Sequence, residues 1–141
     1  MFQGTSALSL DDKGRLTVPA RQREALREHG PELTLTFHPR GFLMLMPRAV
    51  WGLKVQEMRG WSQAFSDLRR DLIGSAEDLA LDSAGRILIS AELRADAGLD
   101  RAVRFVGNDT HFEIWDAATL DARRQRARAA LTDEMLERIR L

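Results

Sequence analysis

The chain contains no cysteine, which excludes disulfides, thiolate-ligated zinc and thiol catalysis and fits an intracellular setting. It also carries no net charge. With 21 lysines and arginines against 21 aspartates and glutamates, no global excess advertises a polyanionic partner or an anionic membrane, so any basic surface must be local. Long apolar runs are missing too: the longest, Phe42 to Met46, falls far short of the roughly 20 residues that span a bilayer. The opening Met1-Phe2-Gln3-Gly4 has neither the basic head nor the apolar stretch of a signal peptide. These absences predict a soluble cytoplasmic protein with no membrane partner. Catalytic signatures are equally scarce. His29, His38 and His111 form no HExxH arrangement, and there is no GxxxxGKS or GxxxxGKT phosphate loop and no GxSxG elbow. Neither enzymatic activity nor a metal or cofactor is expected.

What the chain does have is an internal duplication. Leu8-Ser9-Leu10-Asp11-Asp12-Lys13-Gly14-Arg15-Leu16-Thr17-Val18-Pro19-Ala20-Arg21-Gln22-Arg23 returns 71 residues later as the stretch from Leu79 to Arg94. Leu8, Leu10, Asp11, Gly14, Arg15, Ala20 and Arg23 recur unchanged, and Leu16 and Val18 return as Ile87 and Ile89, so the hydrophobic period survives along with the turn residues. At 141 residues, two half-length units would each be marginal alone. Both repeats are expected to share one core.

Each repeat reads as a strand ending at Leu10 or Leu81, a tight loop, a second strand from Arg15 or Arg86, and a helix. Pro19 suits the first helical turn, Ser90 can cap the second helix through its hydroxyl, and Gly30 and Gly98 stand where the helices should stop. Two more strands follow in each copy, Glu32 to His38 with Phe42 to Met46, and Ala102 to Val106 with His111 to Trp115, and their short connections favour antiparallel pairing. Between the repeats, Pro47 to Ile73 is rich in helix formers. Trp61, Phe65, Leu68 and Leu72 step by 4, 3 and 4, which predicts one helical stripe, a core face in the first reading and a partner face in the second. From Ala117 to Leu141 the pattern is again helical, interrupted near Thr132-Asp133, with Arg123, Arg124, Arg126 and Arg128 spread around the helix as a solvated face or a nucleic-acid contact.

The repeated Asp-x-x-Gly-Arg loop carries the chemistry. Asp11 and Asp82 can accept bonds from backbone N–H groups within a turn, and Gly14 and Gly85 supply the positive φ such a turn needs. Arg15 and Arg86 then leave the loops at a defined angle, and a planar forked guanidinium suits phosphates or guanine edges. Two copies related by an approximate two-fold could address a duplex together. On loop chemistry alone, the alternative that each aspartate pairs with its arginine merely to brace the hairpin stands level with this one. Lys13 adds a charge to the first loop, whereas its counterpart is Ala84.

The duplicated loop, the opening Met1-Phe2-x-Gly4, the segment Leu81 to Ile89 and the later Phe112-Glu113-Ile114-Trp115-Asp116 resemble the MraZ family over nearly the whole chain. The resemblance implies an α+β fold: a tandem AbrB-like swapped-hairpin β-barrel built from two pseudo-symmetric repeats, with connecting and C-terminal helices. It divides the chain into a first repeat at 5–47, a helical connector at 48–75, a second repeat at 76–119 and a helical tail at 120–141. MraZ proteins are bacterial transcription regulators of the division and cell-wall gene cluster that contains their own gene, and they bind repeated short promoter elements as ring-like oligomers. The implied partners are therefore double-stranded DNA and further copies of the chain, and the implied location is the nucleoid. The family's Asp-x-x-x-Arg pair maps onto Asp11 with Arg15 and Asp82 with Arg86, with the arginines as the expected DNA contacts. Ser90 stands where the first repeat has Pro19, and Ala84 where it has Lys13, so the two loops need not bind equally. AbrB-like folds also occur in antitoxins whose C-terminal segments bind a toxin, which makes a protein-interaction module the alternative function.

Overall fold

The computed structural model describes residues 1–141. In chain order the elements are β1 (Thr5–Ser9), β2 (Arg15–Thr17), α1 (Ala20–Arg27), β3 (Leu33–His38), β4 (Phe42–Pro47), α2 (Arg48–Arg59), a 3-10 turn (Gln63–Phe65) and α3 (Ser66–Gly74). The second half continues with β5 (Glu77–Leu79), β6 (Arg86–Leu88), α4 (Ala91–Asp96), β7 (Ala102–Asn108), β8 (His111–Asp116), α5 (Ala117–Ala129) and α6 (Asp133–Ile139). No helix is long and apolar enough to cross a membrane.

Strand pairing crosses between the repeats. β1 lies antiparallel to β7 with Thr5 opposite Val106, β5 lies antiparallel to β3 with Leu33 opposite Leu79, and β4 meets β8 at the centre. The resulting sheet runs β1-β7-β8-β4-β3-β5, and β2 pairs with β6 in a separate ribbon. Exchanging the repeats turns β1 into β5, β3 into β7 and β4 into β8, which reads the same order backwards. The fold therefore has an internal pseudo-two-fold axis, passing between β4 and β8 and through the ribbon where Leu16 faces its own counterpart Ile87. The architecture is α+β. No closed barrel forms: β1 and β5 end the sheet on opposite sides, and β2 and β6 bond to each other instead of bridging those edges.

The period of two along each strand sorts side chains to the two faces of the sheet. In β4, Leu43 and Leu45 join one buried cluster with Leu16, Ile87, Leu26, Leu93, Phe105 and Phe112, whereas Phe42, Met44 and Met46 join another with Trp51, Met58, Leu72, Trp115 and Leu120. A strand buried on both faces has no solvent side to make polar, which is why Phe42 to Met46 is continuously apolar. The molecule thus has three layers, with the ribbon, α1 and α4 on one side of the sheet and α2, α3 and α5 on the other. Thr34 and Thr36 are fully buried in β3, and Thr36 Oγ1 donates to the Leu72 carbonyl at 2.7 Å, tying α3 to the sheet. Phe2, Phe112 and Phe105 stack in succession at 4.5 and 4.4 Å, so the N-terminus is anchored by the second repeat.

Two local expectations change. Pro19 occupies the N-cap of α1, one position before the first turn, where its carbonyl accepts from the backbone N–H groups of Gln22 and Arg23. The predicted stripe from Trp61 to Leu72 divides: Leu72 is buried, but Trp61 and Phe65 are exposed and meet edge to face at 6.0 Å. The cause is local. α2 stops at Gly60 and Ser62 is extended, so the helical phase that would carry Trp61 and Phe65 to the core is broken before α3 begins. Ser90 caps α4, its Oγ accepting from Leu93 N at 3.3 Å.

Candidate nucleic-acid interface

The two repeated loops have the same internal frame. Asp11 Oδ1 accepts from the backbone N–H groups of Lys13 at 2.9 Å and Arg15 at 2.8 Å, while Oδ2 accepts from Arg15 Nε at 2.6 Å. Asp82 Oδ1 accepts from Ala84 N and Arg86 N, both at 2.9 Å, and its Oδ2 from Arg86 Nε at 2.9 Å. The backbone N–H of Arg15 is the main influence holding the Asp11 carboxyl down to about 2, helped by the Arg15 side chain and the Lys13 N–H and opposed by desolvation. Asp82 is lowered for the corresponding reasons, with the Arg86 N–H foremost. Both aspartates are anions at neutral pH, and each spends its charge on fixing one arginine. Bracing and presentation are therefore compatible, because the pairing uses only the Nε edge of each guanidinium.

The arginines share a surface. In an antiparallel pair, opposed residues and residues two apart lie on the same face, so Arg15, Thr17, Arg86 and Leu88 form the outer face of the β2–β6 ribbon while Leu16 and Ile87 form the buried one. Arg86 stands opposite Thr17, which sets the two arginines diagonally across the ribbon, offset by roughly 7 Å along it. Thr17 and Leu88, which occupy equivalent places in the two repeats, lie between them, and Leu88 is 58% exposed. Lys13 is at the exposed tip of the first loop. Beside it Asp12 is taken up by Arg101, with Nη2 2.6 Å from Oδ1.

Each loop is held by the opposite repeat. Val18 N donates to the Gly85 carbonyl at 3.0 Å and Ile89 N to the Gly14 carbonyl at 2.9 Å. Behind these bonds, Arg23 donates from Nη1 to the Val18 carbonyl and lies against Gly85, whereas Arg94 donates from Nε to the Ile89 carbonyl and lies against Gly14. Both glycines have positive φ, +81° for Gly14 and +77° for Gly85. A Cβ at Gly14 would stand 2.7 Å from Arg94 Nε and 2.9 Å from the Ile89 oxygen, and one at Gly85 would stand 2.5 Å from Arg23 Cδ. Glycine is required here twice over, by the turn and by the neighbour. The sequence reading missed Arg23 and Arg94 as parts of the site. Their return at the same offset of 71 as the loop itself was the available signal.

The other two displaced titratable groups, Glu113 and His38, belong to β8 and β3. Glu113 is pushed up by burial, but hydrogen bonds from His111, Trp115 and Asn108 outweigh that and bring it to about 2. Burial lowers His38, whose ring stacks on Phe42 at 4.3 Å. No group of three or more histidine, aspartate or glutamate side chains is arranged to hold a metal ion. Arg123 lies over the Trp115 ring at 5.7 Å and Arg124 donates to Thr5 Oγ1 at 2.9 Å, so two of the four crowded arginines fasten the root of α5 to the body.

The family model described as "MraZ protein, putative antitoxin-like" matches residues 1–63 and 72–139. A protein of Herminiimonas arsenicoxydans named transcriptional regulator MraZ is 50% identical over 85% of each chain. Proteins of the same name from Cupriavidus pinatubonensis and Ralstonia pickettii are 46% identical over 97% and 48% identical over 92% of each chain. With a family match over all but residues 64–71 and the last two, and relatives this similar along nearly their whole length, the chain belongs to the MraZ family.

Proposed function

We infer that this chain is a DNA-binding transcriptional regulator that reads duplex DNA with the outer face of the β2–β6 ribbon. The observation that carries the reading is the pair of aspartate-braced arginines, Arg15 and Arg86, diagonal on one exposed two-stranded face. A two-stranded ribbon fits the major groove, roughly 12 Å wide, and an arginine there can address the O6 and N7 of guanine through both terminal nitrogens. Holding Nε on a carboxylate lowers the entropy lost when such a contact forms. Lys13 adds a phosphate contact, and Asp11, Gly14, Asp82 and Gly85 keep the loops in shape. The fold is a tandem version of the AbrB-like swapped hairpin, with the exchanged strands of its two repeats doing within one chain what two subunits do in a dimer.

Because the whole chain is electrically neutral, one ribbon offers few phosphate contacts, and firm binding comes from several ribbons on a ring-like homo-oligomer engaging repeated promoter elements. Its targets include the promoter of its own division and cell-wall gene cluster, on the nucleoid in the cytoplasm. The test is a titration of the purified protein against the duplex upstream of its gene and a shuffled duplex across a salt series. Selective, salt-dependent binding is expected, and equal weak binding to both duplexes would overturn the reading. The description of the matching family as antitoxin-like favours one second reading, a protein-interaction module, for which a stoichiometric copurifying protein in place of nucleic acid would be the sign.

A further inference from the structure

The C-terminal arm ends without a covering surface. Every residue from Gln125 to Leu141 is exposed, and the last helix, α6, presents Met135, Leu136 and Ile139 at 50, 40 and 61% exposure, with Leu131 just before its cap. α6 is well started: Thr132 Oγ1 accepts from Met135 N at 3.2 Å, and Asp133 and Glu134 lie in the first turn, where acids complement the helix dipole. Yet a seven-residue helix is marginal in water, and helices of this length are held chiefly by packing their apolar side.

A second uncovered apolar surface lies in the connector. Phe65 and Ile73 are 52 and 37% exposed, one on each side of Arg69, and Trp61 joins this shallow face to an apolar cavity of about 310 Å³ whose walls include Met44, Trp51, Met58, Leu68 and Leu72. Arg69 and Arg70 border the depressions beside Phe65 and Ile73; Arg70 is held 2.6 Å from Asp67, Arg69 makes no ion pair, and Lys54 and Glu57 line the cavity beyond Trp61. The stretch Asp133–Ile139 of α6 carries three acids and the single base Arg138, which pairs with Glu134. Apolar matches apolar, and the excess acid of α6 meets the unpaired Arg69.

We propose that α6 of one chain docks, apolar side down, on the Trp61–Phe65–Ile73 surface of a second copy, with its acids toward Arg69. Within one chain the two surfaces are both exposed, so the contact is made between chains, and because they are different surfaces it is heterologous. Such a contact propagates from copy to copy and closes into a ring when the rotation allows. The proposal rests on the oligomeric reading above and names the surfaces that build it. The mode is that of an amphipathic helix in a groove.

The absence of cysteine makes the test specific. The double variant Phe65→Cys with Met135→Cys, treated with a short bis-maleimide, is expected to give a ladder of covalent multimers on a denaturing gel. Either single variant gives none, whereas mixing the two singles gives a covalent dimer. Both positions are exposed, so folding is not at stake, and the control pair Leu53→Cys with Met135→Cys should not cross-link. In parallel, deleting residues 131–141 should lower the sedimenting mass relative to the full chain. An oligomeric full chain with no ladder would overturn the docking proposal and leave the oligomer standing on other surfaces. A full chain that sediments as a monomer would overturn both. A fast-running intramolecular cross-link would show that the arm folds back on its own connector, and would also overturn the proposal.

Discussion

The two loops of this protein are alike in their bonds and unlike in their charges. Around Asp11 and around Asp82 the same two backbone N–H groups and the same guanidinium edge are held by one carboxylate, with the arginines similarly exposed at 33 and 34%. At the tips the copies diverge, because Lys13 and Asp12 stand where the second loop has Ala84 and Ser83, and Asp12 is already neutralised by Arg101. On the ribbon, Thr17 of one repeat corresponds to Leu88 of the other. Two near-copies thus provide a common mount for arginine and different surroundings for it. On the proposed DNA-reading face, this pseudo-symmetric frame suits a sequence that is not itself symmetric, since each loop would present a different set of neighbours.

The comparison can be broken most severely at the glycines. Gly14→Val forces a β-branched residue into positive φ and against the Arg94 side chain and the Ile89 carbonyl, and Gly85→Val does the same against the Arg23 side chain. Expected losses of unfolding free energy are about 2–5 kcal/mol for each, from backbone strain plus overpacking. Urea denaturation of both variants measures them, and a loss at one position alone would mean that the two loops are not equivalent in their packing.

Arg15→Ala and Arg86→Ala sharpen the question of function. Each should weaken operator binding by about 1–3 kcal/mol per specific contact, multiplied across the protomers engaged, while leaving thermal unfolding nearly unchanged. Fluorescence anisotropy with matched and shuffled duplexes decides it: if both variants bind like the parent protein, the ribbon face is not the interface. Acid should then affect the two loops together. Because Asp11 lies at about 2 in the folded chain against an ordinary 3.8, its brace is complete above about pH 4 and is lost as the pH falls toward 2, and the lowered Asp82 follows the same sign. Amide shifts of Lys13 and Arg15 beside those of Ala84 and Arg86, followed through that window, report it. Titration of Asp11 at its ordinary value would deny the brace. The smallest effect belongs to the tips. Lys13→Ala should reduce the salt slope of binding by about 1, and Ala84→Lys should raise it by a similar amount, both read from the same salt series.

Much of this organisation is legible in the sequence. An offset of 71 shared by aspartate, glycine and arginine defined the loops, and alternating apolar residues with short turns gave the antiparallel strands. The exchange of β1 and β5 between repeats was not legible from periodicity, because alternation says which face a strand buries and nothing about which strand lies beside it. Only the family resemblance suggested it. Arg23 and Arg94 were overlooked because a recurring arginine on a helix resembles surface charge until the opposite loop's glycine is found against it. Trp61 and Phe65 misled because spacing assumes an unbroken helix, and Gly60 with Ser62 breaks it.

The exchanged strands also set a schedule for biosynthesis. Thr5 must wait for Val106, which the ribosome adds roughly 100 residues and 5–20 s later, so β1 and its loop remain unpaired through most of translation. During that interval a nascent first half has the edges of a complete partner and no partner of its own. On a polysome, neighbouring first halves are positioned to take each other's place, and the long wait for β7 favours chaperone capture or slow synthesis over the first strand pairing it meets.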